Sequence, residues 1–97
     1  MLENLVYTEL IKANYEVYFY NKNFECDFIA IKDDKRIAIQ VCYELHEQNR
    51  KREIGGLIKL PFEVDSKYIV TYNQSDILQS DTLDDIEVVK FWEYFGV

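Results

Sequence analysis

The most constraining feature of the sequence is the stretch at residues 36–45, a predicted strand that has apolar residues on both of its faces. Ile37 and Ile39 share one face, and Ala38 and Cys42 share the other. A strand with apolar residues on both faces is typical of the centre of a sheet that is covered on each side. The stretch therefore predicts a covered sheet with helices packed against it.

Apolar spacing and turn residues predict the elements around this central strand. Leu2, Val6 and Leu10 recur at helical spacing, which predicts a helix over residues 2–13 that ends with Asn14 in the left-handed conformation. The further elements are strands over residues 15–20, 24–31, 68–72 and 86–89, turns at 21–23 and 33–34, a helix over 47–60, a loop over 73–85, and a terminal helical turn over 91–95.

The order of these elements is α-β-β-β-α-β-β with a short C-terminal helical turn, which predicts an α/β (α+β) fold with a mixed β-sheet flanked by helices. The first three strands have short links and form an antiparallel meander. The strand after the second helix returns parallel to its neighbour by a right-handed crossover. The whole chain, residues 1–97, is interpreted as a single domain, because its length supports one core and not two.

The helix over residues 47–60 carries a predicted core stripe of Ile54, Leu57 and Ile58. The pair Gly55-Gly56 interrupts it at a cost of up to about 1 kcal/mol per residue relative to alanine. Close packing of this helix against the sheet is the favoured explanation for the two glycines. The aromatic residues of the terminal turn support two interpretations: they close the core, or they leave an apolar patch for a partner.

Charge and hydropathy limit the classes of partner. The chain has 11 basic and 18 acidic residues and a net charge of −7, whereas nucleic-acid binders usually present a basic surface. DNA is therefore expected to be a weak partner. No run of apolar residues is long enough to cross a membrane, so no membrane association is expected. The N-terminal residues do not resemble a signal peptide, which makes a cytoplasmic location the expectation.

One pair of strands carries a constellation known from metal-dependent nucleases. Many of these enzymes place magnesium with an acidic residue on one strand and an acid-x-Lys triplet on the next. Asp27 supplies the first acid, but Gln40 stands where the second carboxylate is expected and Cys42 stands where the lysine is expected. If Asp27 and Gln40 face each other, Cys26 and Cys42 point to opposite faces and cannot form a disulfide. Both cysteines are interpreted as buried, reduced thiols.

At these residues the sequence resembles a family. The segments Leu2-Glu3-Asn4-Leu5-Val6, Glu25-Cys26-Asp27-Phe28, Ile39-Gln40-Val41, Arg52-Glu53-Ile54 and Phe91-Trp92-Glu93 stand in the order seen in one group of proteins. These are the restriction-endonuclease-like, PD-(D/E)XK domains at the C-terminal end of certain bacterial and archaeal AAA-type ATPases. The resemblance covers nearly the whole chain and implies a PD-(D/E)XK nuclease-like domain.

The resemblance also implies roles for individual residues. Glu3, Asp27 and Gln40 match the family's metal ligands, and Cys42 matches its lysine. In an active member Mg²⁺ or Mn²⁺ would polarise the phosphate and activate a bound water. Gln40 lacks the charge of a carboxylate, and Cys42 supplies no permanent cation. Arg52 or Lys51 on the following helix could replace the lysine, although solvated charges are the favoured interpretation of both.

Three functions follow as hypotheses. The first is a nuclease-fold module with a degenerate metal site, a non-catalytic or weakly active docking domain of an AAA-type ATPase or a DNA-processing assembly. Its partner is an ATPase region or another protein, and a second copy of the chain in a homodimer is a further alternative. The second is an active Mg²⁺-dependent DNA endonuclease that uses Glu3, Asp27 and Gln40. The third is an interaction domain without any site, in which case Glu3 and Asp27 do not converge and no cofactor is needed.

Overall fold

The structure is a computed structural model that describes residues 2–19, 28–58, 60, 62–73 and 86–96. In chain order the elements are α1 (Leu2–Lys12), β1 (Glu16–Phe19), β2 (Phe28–Lys32), β3 (Lys35–Val41), α2 (Glu47–Ile58), β4 (Ser66–Thr71), β5 (Ile86–Lys90) and α3 (Phe91–Phe95). None of the helices in this described part is long and apolar enough to cross a membrane.

The described strands form one mixed sheet in the order β1-β2-β3-β4-β5. β1, β2 and β3 pair antiparallel, whereas β3 with β4 and β4 with β5 pair parallel. The predicted meander and the parallel return after α2 are therefore confirmed. β3 lies in the middle of the sheet, which agrees with its apolar residues on both faces.

Helices cover both faces of this sheet. On one face, Val6 and Leu10 of α1 are fully buried in a cluster with Ile39 of β3. On the other face, Leu57 of α2 is buried in a cluster with Ala38 of β3. Successive residues of β3 thus serve opposite cores, as the alternation of side chains along a strand requires.

Left-handed residues end α1 and join β2 to β3. Asn14, two residues after the end of α1, has φ 70°, the left-handed conformation that was predicted. Asp33 and Asp34 have φ 53° and 66°, so both central residues of this tight turn adopt the conformation of a two-residue hairpin loop. The predicted turn at residues 21–23 lies outside the described residues, as does the predicted loop beyond residue 73.

Three predictions about the central strand and the second helix are wrong. β3 ends at Val41, and the chain bends at Tyr43 and Glu44 instead of extending the strand to Leu45. α2 ends at Ile58, which is 54% exposed and, contrary to the prediction, does not belong to the core stripe; Leu60, Phe62 and Val64 of the next segment pack against this core. The close packing proposed for the glycines fails at Gly55, where an added Cβ would meet no atom within 4 Å.

The aromatic residues of the terminal turn divide between the core and the surface, so core closure is confirmed and the role of a patch for a partner stays a prediction. Phe91 is buried and joins the core on the α1 face, while the ring of Trp92 next to it is 42% exposed. Gly96, with φ 72°, ends α3 and donates its N–H to the carbonyl of Trp92. The last turn therefore closes one core and also leaves an aromatic ring at the surface.

Candidate functional site

Gln40 lies on β3 and points towards α2, on the same face of the strand as Ala38 and Cys42. Its side chain is buried, with 3% of its surface exposed. The amide Nε2 donates a hydrogen bond to Oε1 of Glu53 on α2, at 2.5 Å. The residue at the position of the expected metal-binding carboxylate therefore presents an N–H group to a neighbouring acid.

Glu53 is a buried acid, with 6% of its surface exposed. It stands one helical turn before the buried Leu57, so it shares the face of α2 that packs on the sheet. Its second oxygen, Oε2, accepts a hydrogen bond from the guanidinium of Arg52 at 3.0 Å. A buried carboxylate needs this kind of pairing, because desolvation of an unpaired charge is costly.

One atom of this cluster has no hydrogen bond. The carbonyl oxygen Oε1 of Gln40 is buried and has no hydrogen-bond partner among the described residues. The amide cannot be turned around without placing this oxygen against the carboxylate of Glu53. In this contact the amide N–H of Gln40 has a hydrogen-bond partner, whereas its carbonyl oxygen has none among the described residues.

Cys42 lies two residues further along the same face and is a free, buried thiol. Its Sγ donates to the carbonyl of Glu44 at 3.2 Å and lies 3.6 Å from Nδ2 of Asn49. Burial, and then the charge of Glu53, raise the pKa of this thiol to about 11. At neutral pH it is protonated, so it offers neither a positive charge nor a thiolate.

The start of α2 is capped by its own side chains. His46 Nδ1 accepts from the backbone N–H of Gln48 at 3.2 Å, and Asn49 Oδ1 accepts from the backbone N–H of His46 at 2.9 Å. This reciprocal arrangement satisfies donors that would otherwise be free at a helix start. His46 is exposed and serves as a cap.

The remaining predicted site residues are not gathered around Gln40 in the described part of the chain. Glu3 is exposed on α1, and α1 packs on the sheet face opposite to the one that carries Gln40 and Cys42. Asp27 lies outside the described residues. The pairing of β2 with β3 is described from the pair Phe28–Ile39 onwards. Among the described residues no three His, Cys, Asp or Glu side chains group closely enough to hold a metal ion. A shared metal site at Glu3, Asp27 and Gln40 therefore stays a prediction.

Sequence reasoning missed Glu53 as a member of the site. The signal was its position beside Ile54 and one turn before Leu57, which places an acid on the apolar stripe of α2. Arg52 does reach the cluster through Glu53, although its side chain is 63% exposed. The side chain of Lys51, the other suggested replacement for the lysine, lies outside the described part.

The family of the chain follows from its sequence. The family model DUF4143, described as a domain of unknown function, matches residues 1–94. The chain belongs to the DUF4143 family. It is 39% identical over 107 aligned residues to an uncharacterized protein of Methanocaldococcus jannaschii. The alignment covers 97% of this chain and 24% of that relative, so the chain spans about a quarter of the relative's length. No solved structure matches the chain.

Proposed function

We propose that this DUF4143 domain is a non-catalytic docking module with a restriction-endonuclease-like fold. In this proposal the half-site of a metal-dependent nuclease has become a structural contact between β3 and α2. The observation that carries the proposal is the hydrogen bond from Gln40 Nε2 to Glu53. The element order and the mixed sheet with helices on both faces support the fold assignment.

The chemistry of this contact argues against a working magnesium site. Magnesium prefers oxygen ligands in a near-octahedral array and is usually held by carboxylates. Gln40 turns its N–H towards Glu53, and the other oxygen of Glu53 accepts from Arg52. Among the described residues, the carboxylate that contacts Gln40 is Glu53, which is thus used within the protein and has its charge balanced by a guanidinium.

The position of the family's lysine supports the same conclusion. A lysine there would position the attacking water or stabilise developing charge. Cys42 is buried and its pKa is raised to about 11, so at neutral pH the side chain is an uncharged thiol. Arg52 is the described cation nearest in the chain to the cluster, and its guanidinium already pairs with Glu53.

The partner in this proposal is the ATPase region of an AAA-type protein, or another protein of a DNA-processing assembly, in the cytoplasm. The resemblance of the motifs to C-terminal domains of AAA-type ATPases supports this partner. The archaeal relative extends far beyond the aligned part, since the alignment covers 24% of it. A domain of this size in a longer chain is suited to docking onto its neighbours.

A second candidate function is a DNA endonuclease that uses Mg²⁺ or Mn²⁺ at Glu3, Asp27 and Gln40. The observation that favours it is the carbonyl oxygen of Gln40, which is buried without a hydrogen-bond partner among the described residues. Such an oxygen is a possible metal ligand. Glu53 would then be a nearby carboxylate, and Arg52 the replacement cation.

A cleavage assay separates the two candidates. The purified chain is incubated with plasmid and single-stranded DNA in the presence of Mg²⁺ or Mn²⁺, beside the matched variant Asp27→Ala. The docking proposal predicts no cleavage by either protein. Cleavage by the wild type that is lost in Asp27→Ala would overturn it and establish the nuclease.

A further inference from the structure

Three exposed aromatic rings form a row at the carboxyl ends of the parallel strands. Tyr43 follows β3, Tyr72 follows β4, and Trp92 follows β5 by two residues. The rings of Tyr43 and Tyr72 stack with centroids 5.0 Å apart, and Tyr72 meets Trp92 edge-on at 5.3 Å. These rings are 64%, 38% and 42% exposed, respectively. They are called the aromatic row below.

The backbone holds the aromatic row in place. Tyr72 donates its backbone N–H to the carbonyl of Tyr43 at 3.2 Å, which continues the contact between β3 and β4 past the ends of both strands. Trp92 is fixed by its neighbour Phe91, which is buried and contacts the indole ring at 5.8 Å between centroids. A surface that is ordered before binding loses less entropy when a partner arrives.

The location of the row suits a binding surface. Ligands of open α/β sheets bind outside the carboxyl ends of the strands. The three rings belong to neither of the two core clusters, so core packing does not explain their residue types. Contiguous exposed aromatic surface of this kind is a mark of interaction sites.

The charges around the row select a cationic partner. Each end of the row is followed in the chain by an exposed acid, Glu44 after Tyr43 and Glu93 after Trp92. The cation facing Glu93 is Lys90, at 3.9 Å, and His46 is exposed near the other end of the row in sequence. With a net charge of −7 for the chain, a phosphate backbone is disfavoured here. The faces of aromatic rings attract cations.

We infer that the aromatic row binds arginine side chains presented by a partner polypeptide. A guanidinium stacks on aromatic faces and also pairs with carboxylates through its planar fork, whereas a lysine ammonium does neither as well. Stacking on Tyr43, the most exposed ring of the row, with pairing to the neighbouring exposed Glu44 uses both properties together. This inference rests on the proposed docking function and names its surface and the chemistry of its partner.

Peptide binding tests the inference with the full chain. Fluorescent peptides of alternating glycine and arginine, lysine or glutamate, and a single-stranded oligonucleotide, are titrated by fluorescence anisotropy. The arginine peptide is expected to bind most tightly. Tyr43→Ala and Trp92→Ala are each expected to weaken its binding by about three- to tenfold, in the range of exposed cation–π contacts. Tyr18→Ala, which removes a tyrosine of similar exposure outside the row, is the control and is expected to change nothing.

Three results would overturn the inference: no binding of the arginine peptide, equal binding of the arginine and lysine peptides with no loss in Tyr43→Ala, or preferential binding of the oligonucleotide. Circular dichroism of each variant checks that its fold is intact. If Trp92→Ala does not fold, Tyr43→Ala still tests the inference, because it removes the most exposed ring of the row. If the peptide does not bind and DNA is not cleaved, only the inference about the aromatic row is overturned. Metal-dependent cleavage of DNA would overturn the proposed docking function.

Discussion

The amide of Gln40 on β3 donates a hydrogen bond to the carboxylate of Glu53 on α2, with 2.5 Å between Nε2 and Oε1. Both side chains are buried, at 3% and 6% exposure. The bond joins the central strand of the sheet to the helix that covers it. The side chain at the position that a nuclease would use to bind metal thus forms a structural hydrogen bond between β3 and α2.

Gln40→Glu is expected to lower the free energy of unfolding by about 2–4 kcal/mol at neutral pH, because it places two carboxylates together in a buried site and removes the donor. Urea unfolding measures this loss. The control is Gln48→Glu, which adds the same charge at an exposed position in the first turn of α2 and is expected to stay within about 0.5 kcal/mol of the wild type. Equal stabilities of the two variants would contradict a structural role for Gln40.

The coupling between Gln40 and Glu53 can be measured with a double-mutant cycle. Gln40→Leu or Glu53→Leu alone leaves a buried polar group without its partner, so each is expected to cost about 2–3 kcal/mol. The double variant is expected to lose less than the sum of the two, with a coupling energy of about 1–3 kcal/mol. Additive losses in the cycle would mean that the two side chains act independently.

Cys42 is expected to react slowly with iodoacetamide at neutral pH, with a rate that rises through pH of about 11 instead of the ordinary 9.0. Because the folded pKa is the higher one, the thiol's contribution to stability is complete below pH 9.0 and is lost as the pH rises towards 11. Mass spectrometry of the peptide that contains Cys42 follows the reaction. The urea-unfolded chain is the control, and equal rates in the folded and unfolded chains at neutral pH would contradict the burial and pairing of this thiol.

Gly55→Ala is expected to stabilise the domain by about 0.5–1 kcal/mol. The residue lies inside α2, where glycine costs helix stability, and an added Cβ meets no atom within 4 Å. Thermal unfolding of the variant beside the wild type measures the effect. A lower melting temperature would show that a contact at this position requires glycine.

The order and pairing of the strands could be predicted because the apolar residues on both faces of β3 and the helical spacing along α1 are local signals. The left-handed conformation of Asn14 and the tight turn at Asp33-Asp34 were likewise predicted from residue type, whereas the positive φ of the two aspartates was not. The end of β3 was predicted too late, since Tyr43 continues the apolar run while its backbone already bends away. Cys42 and Leu45 fill the core from that bend, which residue spacing alone does not reveal.

The candidate site was predictable only in part, because its central contact joins residues 13 positions apart. Gln40 was recognised from its place in a motif, but the partner that determines its chemistry, Glu53, belongs to another element. A buried acid in a helix is recognisable once the packed face of α2 is known. The direction in which the Gln40 amide points depends on tertiary structure. It determines whether the side chain is a metal ligand or a structural hydrogen-bond donor.

The most direct test of the account is Mn²⁺ binding, followed by electron paramagnetic resonance as Mn²⁺ is titrated with the wild-type chain and with Asp27→Ala. If Gln40 and Glu53 serve only as a structural contact, both proteins leave the spectrum of the free hydrated ion unchanged. Depletion of the free-ion signal by the wild type, lost in Asp27→Ala, would contradict the account and identify a metal site.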